Sequence, residues 1–214
     1  MNYQKARQRM VEKQIARRGV DSARVLEAFR TVPRHVFVPE RQRQYAYSDS
    51  PLPIGDGQTI SQPYIVAYMT EALDIQPQDR VLEVGTGSGY QAAILGFLAD
   101  EVFTVERHPA LAEAAEELLQ SLEYSNIHIV QGDGTKGLPE HAPYQAVIVT
   151  AAAPEVPQPL LNQLDEHGRL VMPVGGRAGQ ILQLWTREGD RYHKESLTPV
   201  AFVPLIGDHG WNHP

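Results

Sequence analysis

Short apolar runs alternate with amphipathic segments from residue 80 onwards, and this alternation predicts strands and helices in turn. The predicted strands are Val81–Val84, Glu101–Val105, Asn126–Val130, Tyr144–Thr150 and Gly168–Val174. Helical patterns separate them, most clearly at Pro109–Leu122 and near Pro157–Gln163, and Gln180–Arg187 with Tyr192–Phe202 suits a terminal antiparallel pair. The order predicts an α/β fold, with a mostly parallel, doubly wound sheet that carries helices on both faces.

The first 63 residues have a different pattern. They predict two helices, Tyr3–Arg18 ended by Gly19 and a second that begins with Asp21 as N-cap and ends at Pro33. We expect an apolar anchor at Val36–Pro39, an exposed polar connection from Arg41 to Ser50, and an ordered loop from Pro51 to Pro63.

Ser61 precedes a third helical pattern that has Pro63 in its first turn. Locally, the favoured interpretation of Ser61 is a helix N-cap. The alternative is that its hydroxyl and the free N–H groups of this turn hold an anionic substrate group.

Composition limits the possible classes of protein. The 214 residues, 42% of them hydrophobic, are enough for one domain, which we divide into a helical extension and connection (1–50), a core (51–205) and a tail (206–214). No apolar run is long enough to cross a bilayer and the start lacks a signal-peptide core, so we expect a cytoplasmic protein without a membrane partner. The absence of cysteine excludes disulfides and thiolate metal sites. We interpret His209 and His213 as part of a frayed end and predict no metal site.

Charge is distributed unevenly along the chain. Residues 1–43 contain 11 of the 19 Lys and Arg residues but only 4 of the 26 Asp and Glu residues, a balance of +7 against −7 for the whole chain. A basic arm is compatible with a nucleic-acid substrate. We favour the solvated faces of amphipathic helices, because the basic residues are evenly spread and the acidic remainder would repel phosphate, and we expect no nucleic-acid partner.

The segment Arg80–Tyr90 carries the main candidate for ligand binding. Its glycines stand at alternate positions, Gly85, Gly87 and Gly89, between a strand and a helix, and Glu83 precedes them. The dehydrogenase fingerprint G-x-G-x-x-G needs a small last residue where this chain has Tyr90. The spacing instead resembles the first motif of class I S-adenosylmethionine (AdoMet) dependent methyltransferases. A turn with purely structural glycines is the alternative.

Polar residues at the next strand ends suit the rest of such a ligand, because ligands of these sheets bind at the carboxyl ends of strands. Glu106 is placed to accept hydrogen bonds from two ribose hydroxyls. Asp133 is placed to accept from the exocyclic amine of adenine, with Gly134 leaving space beside the base. The residues from Thr150 to Pro154 lack the Asn/Asp-Pro-Pro-aromatic set of amino methyltransferases, which indicates a nucleophile that is already ionised, such as a carboxylate.

Several motifs together resemble those of the protein-L-isoaspartate O-methyltransferase family, in order along the chain from the N-terminal helices to about Leu205. They are P-L-P-I-G at 51–55, Q-T-I-S-Q-P at 58–63, V-L-E-V-G-T-G-S-G-Y at 81–90, G-D-G at 132–134 and F-V-P-L at 202–205. The resemblance implies a Rossmann-like class I methyltransferase fold. It also implies methyl esterification of the α-carboxyl of L-isoaspartyl residues in damaged proteins and peptides, with AdoMet as donor.

The resemblance also assigns residues, and it favours the functional interpretation of Ser61 as the catalytic residue. It implies cofactor contacts at Thr59, Ile60, Ser61, Gln62, Gly85, Gly87, Ser88, Glu106, Arg107, Asp133 and Gly134, and substrate contacts at Val203 and Leu205. We expect a monomer. The alternatives are a small-molecule or nucleic-acid methyltransferase on the same scaffold and a non-catalytic AdoMet-binding module.

Overall fold

A seven-stranded sheet with helices packed against it forms most of the computed structural model, which describes residues 2–176 and 178–212. The helices are α1 Tyr3–Met10, α2 Ala23–Thr31, α3 Pro63–Ala72, α4 Tyr90–Leu98, α5 Pro109–Ser121 and α6 Gln158–Asn162. The strands are β1 Leu52–Gly55, β2 Gln58–Ile60, β3 Arg80–Val84, β4 Glu101–Glu106, β5 Ile127–Gln131, β6 Tyr144–Val149, β7 Leu164–Gly176, β8 Gly179–Glu188 and β9 Arg191–Val200.

The strand order in the sheet is β5-β4-β3-β6-β7-β8-β9. The pairings from β5 to β7 are parallel, and β7–β8 and β8–β9 are antiparallel. This confirms the predicted mostly parallel sheet with a terminal antiparallel pair. The chain order reverses beside β3, which is where open α/β sheets bind ligands.

Alternate residues of the central strands enter two separate hydrophobic clusters, because side chains of a strand point to opposite faces. Val81, Val102 and Ile148 belong to one cluster, which also contains residues of α2, α3 and α4. Leu82 and Val147 belong to the other, which contains residues of α6. The strands are therefore buried on both faces, as parallel sheets require.

The N-terminal helices are part of the first of these clusters. Helix α1 continues through a π turn (Val11–Ile15) and a 3-10 turn (Ala16–Arg18) to Gly19, whose φ of +98° ends it as predicted. The N-cap of α2 is Ser22, whose hydroxyl accepts from the Val25 N–H, and not Asp21. The N–H groups of Asp21 and Ser22 instead both donate to Glu71 Oε1, at 2.8 Å.

Two segments between residues 40 and 60 are more ordered than predicted. The expected exposed connection forms a 3-10 helix, Glu40–Tyr45, and then buries Ala46 and Tyr47. The expected loop after it contains the antiparallel hairpin β1–β2. Its turn is Asp56-Gly57, both with positive φ (+48° and +71°), which is a conformation typical of two-residue hairpin turns.

The prediction of a frayed tail is wrong for the residues that the structure describes; His213 lies outside them. Residues 205–211, the C-terminal loop, close on themselves through bonds from the Trp211 N–H to Leu205 O (2.8 Å) and from the Gly207 N–H to Trp211 O (3.2 Å). Trp211 Nε1 also donates to Ala152 O at 3.1 Å. None of the helices in the described part of the chain has the length and apolar character needed to cross a membrane.

Candidate active site

A cavity of about 300 Å³ opens at the carboxyl edge of the sheet, beside β3. The β1–β2 turn, the ends of β3, β4 and β6, and the start of the C-terminal loop enclose it. Its lining residues are Asp56, Gly57, Gln58, Thr59, Val84, Gly85, Gly87, Val105, Glu106, Arg107, His108, Gly134, Thr150, Ala151, Val203, Pro204, Leu205 and Ile206.

The glycine turn gives the cavity a floor of backbone atoms. Gly85 has a φ of +98°, and a Cβ there would overlap Thr150 Oγ1. Thr150 Oγ1 donates to Gly85 O at 2.7 Å, so the ends of β3 and β6 are held together at this point. At Gly134 a Cβ would lie 2.5 Å from Val84 Cγ1. Glycine at both positions therefore allows these segments to approach their neighbours more closely than a Cβ would permit.

Glu106 stands at the rim of the same turn. The residue is 5% exposed, and its two carboxylate oxygens accept the N–H groups of Gly87 and His108, each at 2.9 Å. Each carboxylate oxygen can accept a further hydrogen bond. The arrangement fixes the carboxylate and leaves it able to bind two hydroxyl groups of a ligand.

Glu83, which precedes the glycine turn, is an acidic residue whose burial changes its protonation. It is fully buried, and Thr104 Oγ1 donates to its Oε2 at 2.5 Å. Burial raises the pKa of the Glu83 carboxyl to about 8, so the group is mostly neutral at pH 7. It supports the strand beneath the glycine turn and does not add a negative charge to the cavity.

The carboxylate of Asp133, a predicted cofactor residue, makes several hydrogen bonds within the protein. Its Oδ1 accepts from the Thr135 N–H and hydroxyl (3.0 and 2.7 Å), and its Oδ2 accepts from the Asp208 N–H at 2.9 Å. Burial alone would raise the pKa of Asp133, but the bonds from Asp208 and Thr135 hold it below its usual range. Gly134 lines the cavity and Asp133 does not. Its carboxylate anchors the C-terminal loop, whose Leu205 and Ile206 form a wall of the cavity.

Ser61 is not the N-cap of α3. That position is Gln62, and its side chain makes no capping bond. Ser61 is half-buried, and its hydroxyl makes no hydrogen bond within the described residues, whereas its carbonyl oxygen accepts from Arg34 Nη2 at 2.7 Å. The hydroxyl is thus available to a ligand, which is the alternative that the sequence left open.

A groove of about 660 Å³ runs past Ser61. Its lining residues are Pro51, Thr59, Ser61, Gln62, Ile65, Thr150, Pro199, Val200, Ala201, Phe202 and Val203. Thr59, Thr150 and Val203 line the groove and the cavity alike. Two ligands, one in each space, would therefore meet at these three residues.

Most of the predicted site residues come together here. The cavity lining includes Thr59, Gly85, Gly87, Glu106, Arg107, Gly134, Val203 and Leu205. A smaller hollow of about 40 Å³ beside it includes Ile60, Ser61 and Ser88, and Gln62 lies on the groove. The lining residues that sequence analysis missed are Asp56, Gly57, Gln58, Val84, Val105, His108, Thr150, Ala151, Pro204 and Ile206. Asp56 and Gly57 could have been found from the sequence, because an Asp-Gly pair is typical of a two-residue hairpin turn.

Our first prediction concerns the C-terminal loop. Trp211→Ala removes the bond to Ala152 O, and we expect the affinity for a ligand in the cavity to fall roughly 3- to 10-fold, because Leu205 and Ile206 lose their support. Titration calorimetry with S-adenosylhomocysteine measures it. Lys136→Ala is the control: its ion pair with Asp208 (2.7 Å) is exposed, and exposed pairs contribute little. Equal affinities in wild type and Trp211→Ala would contradict this role of the loop.

Comparison with known proteins gives one consistent result. The family model described as Protein-L-isoaspartate(D-aspartate) O-methyltransferase (PCMT) matches residues 5–210. A protein-L-isoaspartate O-methyltransferase of Roseiflexus sp. (strain RS-1) is 56% identical over 99% of this chain and 96% of its own length. One from Methanoregula boonei is 55% identical over 97% and 95%.

Solved structures agree with the sequence comparison. A protein-L-isoaspartate O-methyltransferase aligns with a TM-score of 0.88 and 29% identity, over 95% of this chain and 67% of the other. A Plasmodium falciparum protein of the same description, in complex with S-adenosyl-L-homocysteine, aligns with a TM-score of 0.81 and 26% identity, over 94% and 98%. The chain belongs to the protein-L-isoaspartate(D-aspartate) O-methyltransferase family.

Proposed function

We propose a role for each part of this site in the methyl transfer that the family carries out. The enzyme transfers a methyl group from AdoMet to the α-carboxyl of L-isoaspartyl residues in damaged proteins and peptides, and the products are a methyl ester and S-adenosylhomocysteine. The observation that carries our assignment is the shared lining of Thr59, Thr150 and Val203. Because these residues border both spaces, a donor in the cavity and an acceptor in the groove would react there.

The cavity suits AdoMet. The glycine turn admits a ligand against the backbone at Gly85 and Gly87, Glu106 accepts the ribose hydroxyls, and Gly134 leaves space for the base. Thr59, Ile60, Ser61, Gln62, Ser88 and Arg107 complete the proposed contacts. Since the carboxylate of Asp133 holds the C-terminal loop, we assign to Asp133 the additional role of positioning the wall beside the base. When bound, AdoMet supplies an electrophilic methyl group.

Ser61 acts on the acceptor. An ordinary carboxyl group, with a pKa near ~4, is ionised at neutral pH, so direct attack on the methyl group needs no general base. The Ser61 hydroxyl has a proton to donate, and a hydrogen bond to one carboxylate oxygen would orient the other. The groove along Pro199–Val203 holds the peptide on either side, with Val203 near the reacting carboxylate. Leu205, the other proposed substrate contact, lines the cavity and not the groove. Orientation at short range is then the main contribution of these residues.

The proposal extends to the domain organisation, location and oligomeric state of the protein. We propose that residues 1–214 act as one domain, since the N-terminal helices share a hydrophobic cluster with the sheet. We further propose a cytoplasmic monomer whose substrates are proteins and peptides and not nucleic acids. The exposed basic residues of the first 43 positions then form the solvated faces of the N-terminal helices.

The second prediction tests substrate class. We expect an isoaspartyl peptide to accept methyl groups from labelled AdoMet, while the matched aspartyl peptide and RNA accept none, because only the isoaspartyl linkage presents this α-carboxylate to the groove. Charge removal at the exposed Lys5, Arg9 and Arg17 should leave the preference intact. Methylation of RNA at a comparable rate would favour the alternative of a nucleic-acid methyltransferase, and binding of AdoMet without turnover on any substrate would favour a non-catalytic module.

A further inference from the structure

Arg34 is a fully buried charged residue, and it lies directly behind Ser61. It begins the 3-10 turn Arg34–Phe37 and is 0% exposed. Nε donates to Ala46 O at 2.8 Å and Nη2 to Ser61 O at 2.7 Å, and Nη1 has no partner in the part of the chain that the structure describes. Burial lowers the pKa of the guanidinium to about 10, so it remains charged at neutral pH.

The charge of Arg34 is not neutralised by a contacting carboxylate. Its bonds go to two backbone carbonyl groups, and the acid that acts on it among the described residues is Asp49. Asp49 is itself in an ion pair with Arg18, at 3.0 Å. The other groups that act on the charge of Arg34 are the phenols of Tyr90 and Tyr47, which are neutral at pH 7. A buried cation in such surroundings is costly unless another negative charge approaches.

A negative charge would approach Arg34 from the substrate side of the site. Ser61, whose carbonyl Arg34 holds, lines the groove. The guanidinium carbon also lies 4.9 Å from the centre of the Tyr90 ring, and Tyr90 lines the small hollow beneath Ser61. Arg34 is therefore one layer of residues away from the position at which the proposed function puts the acceptor carboxylate.

We propose that Arg34 is a specificity-determining residue, whose buried positive charge is balanced by the anionic methyl acceptor when the substrate binds. The inference rests on the proposed role of the groove and Ser61. In a medium of low polarity, attraction across several ångströms is strong enough to favour a carboxylate over a neutral group of the same shape. It also gives part of the basic N-terminal segment a function other than nucleic-acid binding. The alternative is a purely structural role, in which Arg34 only holds the backbone at Ala46 and Ser61 in place.

The test compares the affinities of two peptides in the presence of S-adenosylhomocysteine, so that no turnover occurs. One peptide has an isoaspartyl residue with its α-carboxylate, and the other has an α-carboxamide at the same place. Arg34→Met removes the charge at similar volume, and Arg34→Lys keeps the charge but not the planar fork. Arg24→Met is the matched control, because Arg24 likewise holds two carbonyl groups (Ile75 O and Leu98 O, both 2.6 Å).

We expect wild type and Arg24→Met to prefer the carboxylate peptide to the same degree, and Arg34→Met to lose roughly 10-fold or more of that preference. Arg34→Lys should bind both peptides more weakly but keep most of the preference. A preference unchanged in Arg34→Met would leave Arg34 as a structural brace and overturn the inference.

If Arg34→Met does not fold, Arg34→Lys decides, since loss of the preference with the charge retained would also overturn the inference. The proposed function is tested separately by methylation of the isoaspartyl peptide by wild type. If wild type methylates it and Arg34→Met keeps the preference, only the inference fails. If wild type neither binds nor methylates it, both fail.

Discussion

Replacing Ser61 by alanine is expected to lower kcat/KM for an isoaspartyl peptide by roughly 10- to 1,000-fold, about 1.4–4 kcal/mol, while S-adenosylhomocysteine binding is nearly retained. The reason is the free hydroxyl at the edge of the groove, which has no other hydrogen bond among the described residues. Its loss removes the group that orients the acceptor and leaves the cavity lining otherwise in place. Steady-state kinetics and calorimetry on the same preparation measure both effects, and Ser48→Ala, at an exposed serine, is the control.

The pH dependence of the wild-type rate tests whether a general base exists. With saturating AdoMet, the single-turnover rate of wild type should be almost flat between about pH 6 and 8, because the carboxylate is ionised throughout. Saturation matters because the pKa of Glu83, beneath the glycine turn, is about 8, and its ionisation near that pH would affect cofactor affinity. His108 lines the cavity. A steep rise near pH 7 that disappears in His108→Ala would show that a base is required and that our assignment is wrong.

Replacing Glu106 by alanine is expected to weaken AdoMet and S-adenosylhomocysteine binding by roughly 2–4 kcal/mol. The variant loses a charged acceptor for two ribose hydroxyls. It also loses the acceptor of the Gly87 and His108 N–H groups, so the glycine turn is less well held. Calorimetry gives the size of the total effect.

An analogue of the ligand separates the loss of the ribose hydrogen bonds from the loss of support for the glycine turn. An S-adenosylhomocysteine analogue without the 2′-hydroxyl cannot make one of the proposed bonds, so removal of Glu106 should cost it less than it costs the parent compound. Glu113→Ala, at an exposed position of α5, is the control and should bind both compounds as wild type does. If Glu106→Ala weakens both ligands equally, its carboxylate supports the turn and does not bind ribose at this hydroxyl. Unchanged affinity for the parent compound would rule out both roles.

The predicted and observed folds agree where the signal is local and periodic. The strands β3 to β6 lie within one or two residues of the apolar runs that predicted them, and in the central strands β3, β4 and β6 burial on both faces requires such runs. The hairpin β1–β2 was missed although its Asp56-Gly57 turn is a known signal, because the strands beside it are short and contain Pro53. Ser22 and Gln62 took the N-cap positions that Asp21 and Ser61 were expected to occupy, since helix ends depend on contacts such as those of Glu71.

The sequence by itself determined the alternating order of elements, the glycine turn and the acid at the end of β4, because these depend on backbone conformation and on the period of burial. Only the tertiary structure decided what Asp133, Ser61 and Arg34 contact. Asp133 is bonded to a residue 75 positions away, and Arg34 to one 27 positions away. Such pairs leave no periodic trace in a single sequence, because each residue type is equally compatible with a solvated surface. Their roles follow from which groups the fold brings together and which it keeps from water.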